Sequence, residues 1–495
     1  MKPNIQELMA NSGVAFGTSG ARGLATAMTD SVCYVYTRSF LQYLESTGEL
    51  KRGATEPVAV GGDFRPSTDR VMAAVCRAVT DMGYEALHCG KVPSPAVALF
   101  GFKRAMPSIM VTGSHIPDDR NGIKFNKPTG EVLKNDERGM SGQVVELDDA
   151  LFGADGNFAK PNPAPRRASG EAGDEYIERY LNFFERDALR GWRVGVYQHS
   201  AVGRDALVKI LSGLGAEVTA LGRSEKFIPV DTEAIRPEDV ELTANWAATG
   251  KFDAVVSTDG DSDRPLVSDE RGRWLRGDIA GVLCAKFLEA DSISTPVSCN
   301  TAVEKCGWFK EIRRTRIGSP FVAASMIQAS AAGAKRVVGY EANGGFLLNS
   351  DIAAGGKILR ALPTRDAVIV ILGILLLAKA QGKKNSELAA GLPARFTASD
   401  RIKNFATEKS AAILAQFNSG SEAADKVEIE KVFGSISGKV ASLNRVDGLR
   451  IIFANEEIIH LRPSGNAPEF RCYAEADTEK RAREMVADAF ARIQA

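Results

Sequence analysis

The chain has 495 residues, which at about 150 residues per domain leads us to expect three or four domains. Hydrophobic residues make up 44% and charged residues 25%, with 62 basic side chains against 62 acidic ones. That balance excludes wholesale disorder, a collagen-like rod and a membrane-embedded bundle, and offers no basic excess for nucleic acid.

In chain order, Met1 to Glu7 lacks an apolar signal core. Phe16 to Gly23 is a Gly/Ser/Thr loop ending in Arg22-Gly23. Val58 to Gly62 reads as a buried strand. Ser67 to Asp81 reads as a helix, with Val71, Ala74, Val75, Ala78 and Val79 on one face. Ser108 to Thr112 is a further strand, running into Gly113-Ser114-His115. Gly153 to Gly173, rich in Ala, Pro, Gly and Asn, reads as a linker, and Asp253 to Ser257 as a strand. The apolar run Ala367 to Ala378 is too short for a membrane span of about 20 residues and reads as a buried helix, capped by Pro363-Thr364. Gly391 to Arg395 opens a last segment with strands at Leu449 to Phe453 and Ile458 to Leu461 and a helix from Thr478 to Ile493.

The segment MGYEALHCG at Met82 recurs as LGAEVTALG at Leu214, and a third helix end at Ala331 to Gly339 shares its helix–Gly–strand order. Three copies at domain-sized spacing point to tandem related α/β domains. The seven dispersed cysteines form no Cys-x-x-Cys and suit buried free thiols in a reducing compartment, so the expected location is the cytoplasm.

Asp259-Gly260-Asp261-Ser262-Asp263-Arg264 follows the strand at Asp253. Its three carboxylates share one side if the backbone stays extended, and such an oxygen cluster suits Mg²⁺. An EF-hand loop would also start this way, yet Arg264 stands where that loop needs Gly, and a strand precedes it. An aspartyl-phosphatase loop would start at Asp259. An Asp/Gly-rich surface turn needs no ligand, although three close carboxylates repel one another unless a cation lies between them.

The other loops are each ambiguous. Ser114, exposed at a strand-to-loop corner, is either a nucleophile awaiting a base or metal, or a loop cap. Lys124 in Asn121 to Phe125 is a proton acceptor if burial or a nearby cation lowers its pKa, and otherwise an exposed lysine. The Phe16 to Gly23 loop can bring N–H groups and a guanidinium to a phosphate, but no Walker sequence occurs and a P-loop NTPase is excluded. Arg462 to Arg471 frames Ser464-Gly465-Asn466 with two arginines, which suits an oxyanion or an ordinary turn. Glu341 and Asn343, in Gly339 to Phe346, can bind vicinal sugar hydroxyls or form a turn.

Taken together and in order, these loops resemble those of the α-D-phosphohexomutase superfamily over nearly the full chain. Phe16 to Gly23 looks like its opening Gly-Thr-Ser-Gly-x-Arg-Gly, and Thr112 to Pro117 like its phosphoserine loop, Thr-Ala-Ser-His-Asn-Pro. Asn121 to Phe125 looks like its Gly-Ile-Lys, and Asp259 to Arg264 like its metal loop. Gly339 to Phe346 stands at its sugar loop, and Arg462 to Arg471 resembles its phosphate loop, Arg-Pro-Ser-Gly-Thr-Glu-Pro. There are four departures: Gly113 for Ala, Ile116 for Asn, Asn466-Ala467 for Thr-Glu, and Glu-Ala-Asn-Gly-Gly for Glu-x-Ser-Gly-His.

The resemblance implies four domains around a cleft, three related α/β domains with mixed sheets and a smaller α+β one. The expected bounds are 1–155, 170–275, 276–390 and 395–495. It implies a mutase interconverting hexose 6- and 1-phosphates, mannose before glucose, through a hexose 1,6-bisphosphate. Ser114 would carry the phosphoryl group and, with Asp259, Asp261 and Asp263, hold Mg²⁺. Lys124 would be the general base, with Arg22 beside it, and His115 the alternative. Arg264 would add positive charge, and Glu341 and Asn343 would bind the sugar. Arg462, Ser464, Gly465, Asn466 and Arg471 would hold the distal phosphate. The partners would be small sugar phosphates, with no nucleic acid and no membrane. An aspartyl-type phosphatase using Asp259 and a non-catalytic sugar-phosphate-binding protein are the alternatives.

Overall fold

The computed structural model describes residues 3–17, 19–53, 56–148, 150–162, 169–464 and 469–494. Within them the chain forms four units, each built on its own sheet. The first three are α/β with mixed sheets, and the last is α+β with an antiparallel sheet.

In the first unit, strand Pro57–Gly62 runs parallel to Glu85–Lys91 and to Ser108–Val111. Strand Arg120–Lys127 then returns antiparallel beside Ser108–Val111, and Ala21–Leu24 lies antiparallel beside it. Helix Thr68–Asp81 buries Val71, Ala74, Val75, Ala78 and Val79, the 3.6-residue stripe read from its sequence, and Met72 beside them. The second sheet centres on Arg193–His199 and Ala254–Thr258, and the third on Ser292–Pro296 and Val337–Tyr340, both parallel pairs. The fourth packs strands Phe396–Lys403, Glu469–Ala476, Ile458–Pro463, Leu449–Phe453 and Val440–Asn444 in antiparallel order. The recurrent helix–Gly–strand corners all place glycine at positive φ: 87° at Gly83, 87° at Gly215 and 97° at Gly333.

One apolar core runs from Ala59 in the first unit through Tyr176, Val256 and Leu283 to Leu392. A second core fills the other face of the first sheet, and the C-terminal unit has its own. The apolar run forms helix Ala367–Gln381, buried on every side from Ala367 to Leu375. Its cap differs from expectation. Pro363 and Thr364 belong to strand Leu362–Arg365, and Asp366 caps the helix by accepting from the Val368 N–H at 3.1 Å. Asp366 also accepts from the hydroxyls of Tyr176, at 2.7 Å, and Tyr180. Those tyrosines sit on helix Glu171–Phe183, which starts inside the stretch read as a linker. Glu171 and Asp174 favour that start, because acidic groups stabilise a helix N-terminus.

Candidate active site

The site is assembled where strands of the first three units end. Ser114 follows strand Ser108–Val111 in a left-handed conformation, φ 58°. Contrary to the exposure expected, it is fully buried. Arg65 holds this unfavourable backbone in place. Its guanidinium donates to the carbonyls of Ser114 (2.7 Å), Ile116 (2.6 Å), Pro117 (2.6 Å) and Arg120 (3.0 Å), and to Asp63 at 3.1 Å. Phe227 of the second unit covers it, 4.2 Å from Cζ to ring centre. A Cβ on residue 113 would stand 2.6 Å from Arg65 Cζ, so glycine replaces the usual alanine there.

Ser114 Oγ donates to Asp259 Oδ2 at 2.6 Å. The metal loop is not extended as expected: it turns tightly, with Ser262 at φ 59° and its N–H bonded to the Asp259 carbonyl at 3.1 Å. The turn, rather than strand alternation, brings Asp259, Asp261 and Asp263 together, with one oxygen of each within 4.8 Å of the others. All three are buried. Burial, then the charges of Asp261 and Asp263, push Asp259 well above the usual carboxylate range. Burial acts the same way on Asp261, but Lys124 and Ser94 overcome it and hold that carboxyl low.

Lys124 lies on strand Arg120–Lys127, opposite Met110. The direct partners of its ammonium are not Arg22 but two carboxylates, Asp261 Oδ2 at 2.5 Å and Asp263 Oδ2 at 2.6 Å. Arg22, opposite Gly122 on the neighbouring strand, is pushed down to about 10 by burial and by Arg264 and Arg365. Arg264 donates to His115 Nδ1 at 2.8 Å, which leaves the ring proton on Nε2. Burial and the Arg264 and Arg22 charges hold His115 well below its ordinary value, so the ring is neutral, with Nδ1 3.4 Å from Ser114 Oγ.

The three carboxylates could hold a metal ion. Their donors are all hard oxygens, and Asp261 Oδ1 and Asp263 Oδ1 are buried with no hydrogen-bond partner. Two buried carboxylate oxygens without a hydrogen-bond partner are a cost that a divalent cation removes.

Glu341 and Asn343 are buried beside this cluster. Thr232 donates to the Asn343 carbonyl at 2.6 Å, and Asn343 Oδ1 accepts from the Gly345 N–H at 2.9 Å. Arg462 and Arg471 face each other across two C-terminal strands and pair within their own sheet, Arg462 Nε 2.9 Å from Asp447 Oδ2 and Arg471 Nη2 3.0 Å from Glu469 Oε2. The Ser464 N–H donates to the Glu469 carbonyl at 2.8 Å. Gly465 and Asn466 lie outside the described residues.

Sequence reasoning missed three residues. Ser94 donates to Asp261 Oδ2 at 2.5 Å, Arg65 supports the serine loop, and Arg365 bridges Asp263 and Glu341. The available signal was position: Arg65 lies just past the carboxyl end of strand Pro57–Gly62 and Arg365 ends strand Leu362–Arg365, where α/β folds gather their ligand sites.

Four family signatures match in succession. They are phosphoglucomutase/phosphomannomutase alpha/beta/alpha domain I over residues 13–145, domain II over 174–272, domain III over 276–396 and the C-terminal domain over 404–492. The chain belongs to the phosphoglucomutase/phosphomannomutase family. Within the family, it is 44% identical over 481 residues to a phosphomannomutase of Sinorhizobium fredii, covering 97% of this chain and 98% of that one. It is 41% identical over 491 residues to a phosphomannomutase of Salmonella muenchen, covering 99% and 98%. In fold it is similar to a family protein of Burkholderia thailandensis, with a TM-score of 0.71 at 19% identity, covering 96% of each chain.

Proposed function

We propose that this chain is a phosphohexomutase that interconverts hexose 6-phosphates and hexose 1-phosphates, with mannose preferred and glucose accepted. The observation that carries the reading is the 2.6 Å contact between Ser114 Oγ and Asp259 inside a buried group of three carboxylates. Two full-length relatives named phosphomannomutase support the sugar.

In this reading Ser114 carries a phosphoryl group. A free sugar hydroxyl attacks the phosphorus, the bond from phosphorus to Ser114 Oγ breaks, and the hydroxyl proton passes to a base. The reading assigns that role to Lys124, whose ammonium is paired with Asp261 and Asp263 in this structure and must first give up a proton, and neutral His115 is the alternative. The hexose 1,6-bisphosphate then turns over in the cleft, and its other phosphate returns to Ser114. Asp259, Asp261, Asp263 and an oxygen of the phosphoserine would hold Mg²⁺, which when bound supplies charge neutralisation at the phosphoryl group. Arg22 and Arg264 add positive charge beside Ser114. Glu341 and Asn343 orient the sugar hydroxyls. Arg462, Ser464, Gly465, Asn466 and Arg471 hold the phosphate that is not being transferred.

A buried Asp259 whose oxygens accept from Ser114 and from the Asp263 and Arg264 N–H groups disfavours an aspartyl-phosphatase reading. The partners are small sugar phosphates, and the seven free cysteines suit a reducing compartment such as the cytoplasm. The test is a coupled assay with mannose 1-phosphate and glucose 1-phosphate in parallel, primed with hexose 1,6-bisphosphate. No turnover of either sugar, or labelled phosphate on aspartate instead of Ser114, overturns the proposal.

A further inference from the structure

Arg365 is a buried cation for which the reaction outlined above has no step. Its side chain is 2% exposed, and it comes from the last residue of strand Leu362–Arg365. Its Nε donates to Asp263 Oδ2 at 3.0 Å, and its Nη1 lies 3.3 Å from Glu341 Oε2 and 3.4 Å from Ser319 Oγ. One guanidinium therefore touches the carboxylate loop of the second unit and the sugar loop of the third. The same neighbourhood reaches the first unit through Glu131, which accepts from Ser319 at 3.1 Å and from Thr364 at 2.6 Å.

Gly345 makes room for this. A Cβ there would stand 2.5 Å from Arg365 Cδ and 2.9 Å from its Cγ, closer than any real contact. Position 345 is one of the two places, with Asn343, where the sugar loop departs from Glu-x-Ser-Gly-His. In this chain the space beside that position is filled from another strand by a guanidinium. A guanidinium differs from an ammonium here because its planar fork can bond two carboxylates at once in fixed directions.

We infer that Arg365 is a positioning residue for sugar recognition: it fixes the Glu341 carboxylate relative to Asp263, and Gly345 is the residue that admits it. Held through Oε2, Glu341 presents its carboxylate to the sugar in one orientation. The sugar loop and the phosphoryl-transfer centre thereby keep one spacing whichever end of the substrate is reacting. This inference rests on the mutase reading, because it assigns Glu341 to the sugar.

The test is a double-mutant cycle on kcat/KM for mannose 1-phosphate and glucose 1-phosphate, with wild type, Arg365→Lys, Glu341→Gln and the double variant. Losing a charged hydrogen bond at this site should cost about tenfold or more in each single variant and change the mannose-to-glucose ratio. Because Arg365 acts through Glu341, the double variant should be no worse than the poorer single one, to within about threefold. Gly345→Ala should reproduce the Arg365→Lys phenotype, because its Cβ displaces the guanidinium. Thermal unfolding of each variant identifies any that fail to fold. Arg365→Lys is chosen because it keeps the buried charge, and Gly345→Ala gives a second route that leaves Arg365 in the sequence. Multiplicative losses in the double variant, or an unchanged sugar ratio in folded Arg365→Lys and Gly345→Ala, overturn the inference. A wild-type enzyme inactive on both sugars overturns the mutase reading itself.

Discussion

Ser114 and Asp259 lie 145 residues apart in the chain, and their side chains meet at 2.6 Å. The serine is set by the first sheet and the carboxylate by the second. Substitutions at either should thus have effects that separate from those on the sugar or the distal phosphate.

Replacing Ser114 with alanine should abolish stable phosphorylation of the protein and lower turnover by about three decades or more, because no covalent carrier remains. Intact-mass spectrometry should find a phosphoryl adduct on the wild-type peptide containing Ser114. Robust turnover by a phosphate-free Ser114→Ala enzyme would contradict the mechanism.

Asp261→Asn removes one charge from the three-carboxylate group and leaves Lys124 with Asp263 alone. The Mg²⁺ needed for half-maximal rate should rise by about ten- to a hundredfold, the range seen even for outer ligands. Excess Mg²⁺ should restore part of the rate. Full activity of the wild type in chelator would show that the carboxylates serve another purpose.

Arg471 lies opposite Arg462 on the C-terminal sheet. Arg471→Ala should weaken mannose and glucose substrates by a similar factor. The loss of a charge-assisted bond, about 1.5–3 kcal/mol, corresponds to about one to two decades in kcat/KM. Glu341→Gln should instead alter the ratio between the sugars. The opposite pattern, measured with both 1-phosphates, would reverse the assignment of these loops.

Arg65→Met should cost about 3–5 kcal/mol, because it leaves Asp63 buried without its cation and releases four carbonyls of the serine loop. Gly113→Ala, which forces a methyl against Arg65, should cost about 1–3 kcal/mol. Urea unfolding measures both. In variants that remain folded, phosphoryl uptake by Ser114 should slow. A folded Arg65→Met enzyme with normal uptake would show that the loop needs no such support.

Burial, with Arg450 nearby, pushes His460 down to about 4, against the Asp447 carbonyl that accepts from its Nε2 at 2.6 Å. Its Nδ1 is buried without a partner, so a second proton there would find no acceptor. The unfolded chain, with an ordinary histidine near 6.5, takes up that proton first as pH falls. The contribution is therefore complete above about pH 6.5 and is lost as pH falls towards 4, by up to about 3 kcal/mol. Urea midpoints at pH 4.5 and 7.5 should differ less in His460→Gln than in wild type. Equal differences would mean that His460 does not carry this dependence.

How much was legible depends on whether a feature is local in the chain. Asp259, Asp261 and Asp263 are near neighbours in sequence, and the helix stripe from Val71 to Val79 repeats every turn, so both could be read directly. The depth of Ser114 could not, because it depends on Asp259 of the second unit, 145 residues away. Arg365 was invisible for the same reason: its partner Asp263 is 102 residues away, and Glu341 24 residues away. The convergence of the three carboxylates was foreseen for the wrong reason, since it depends on the backbone of Ser262 and not on strand alternation. The cap of the apolar helix was misplaced by two residues because Thr364 hydrogen-bonds sideways to Glu131, leaving Asp366 to the helix.

The core that runs from Ala59 to Leu392 has a consequence for synthesis. A ribosome delivers about 5–20 residues per second, and domains usually fold as they emerge. Here helix Ser94–Lys103 covers the second face of the first sheet and packs in turn against helix Glu171–Phe183. That later helix carries Tyr176 and Tyr180, whose hydroxyls wait for Asp366. Helix Ala367–Gln381, the most apolar segment of all, is made late and has to find its place inside a structure already largely formed. Between the first strand and that helix, the growing chain carries uncovered oily surface for some tens of seconds at those rates. That interval, rather than the finished enzyme, is where a chaperone would matter most. The C-terminal unit, with a core of its own, can then fold last without disturbing what precedes it.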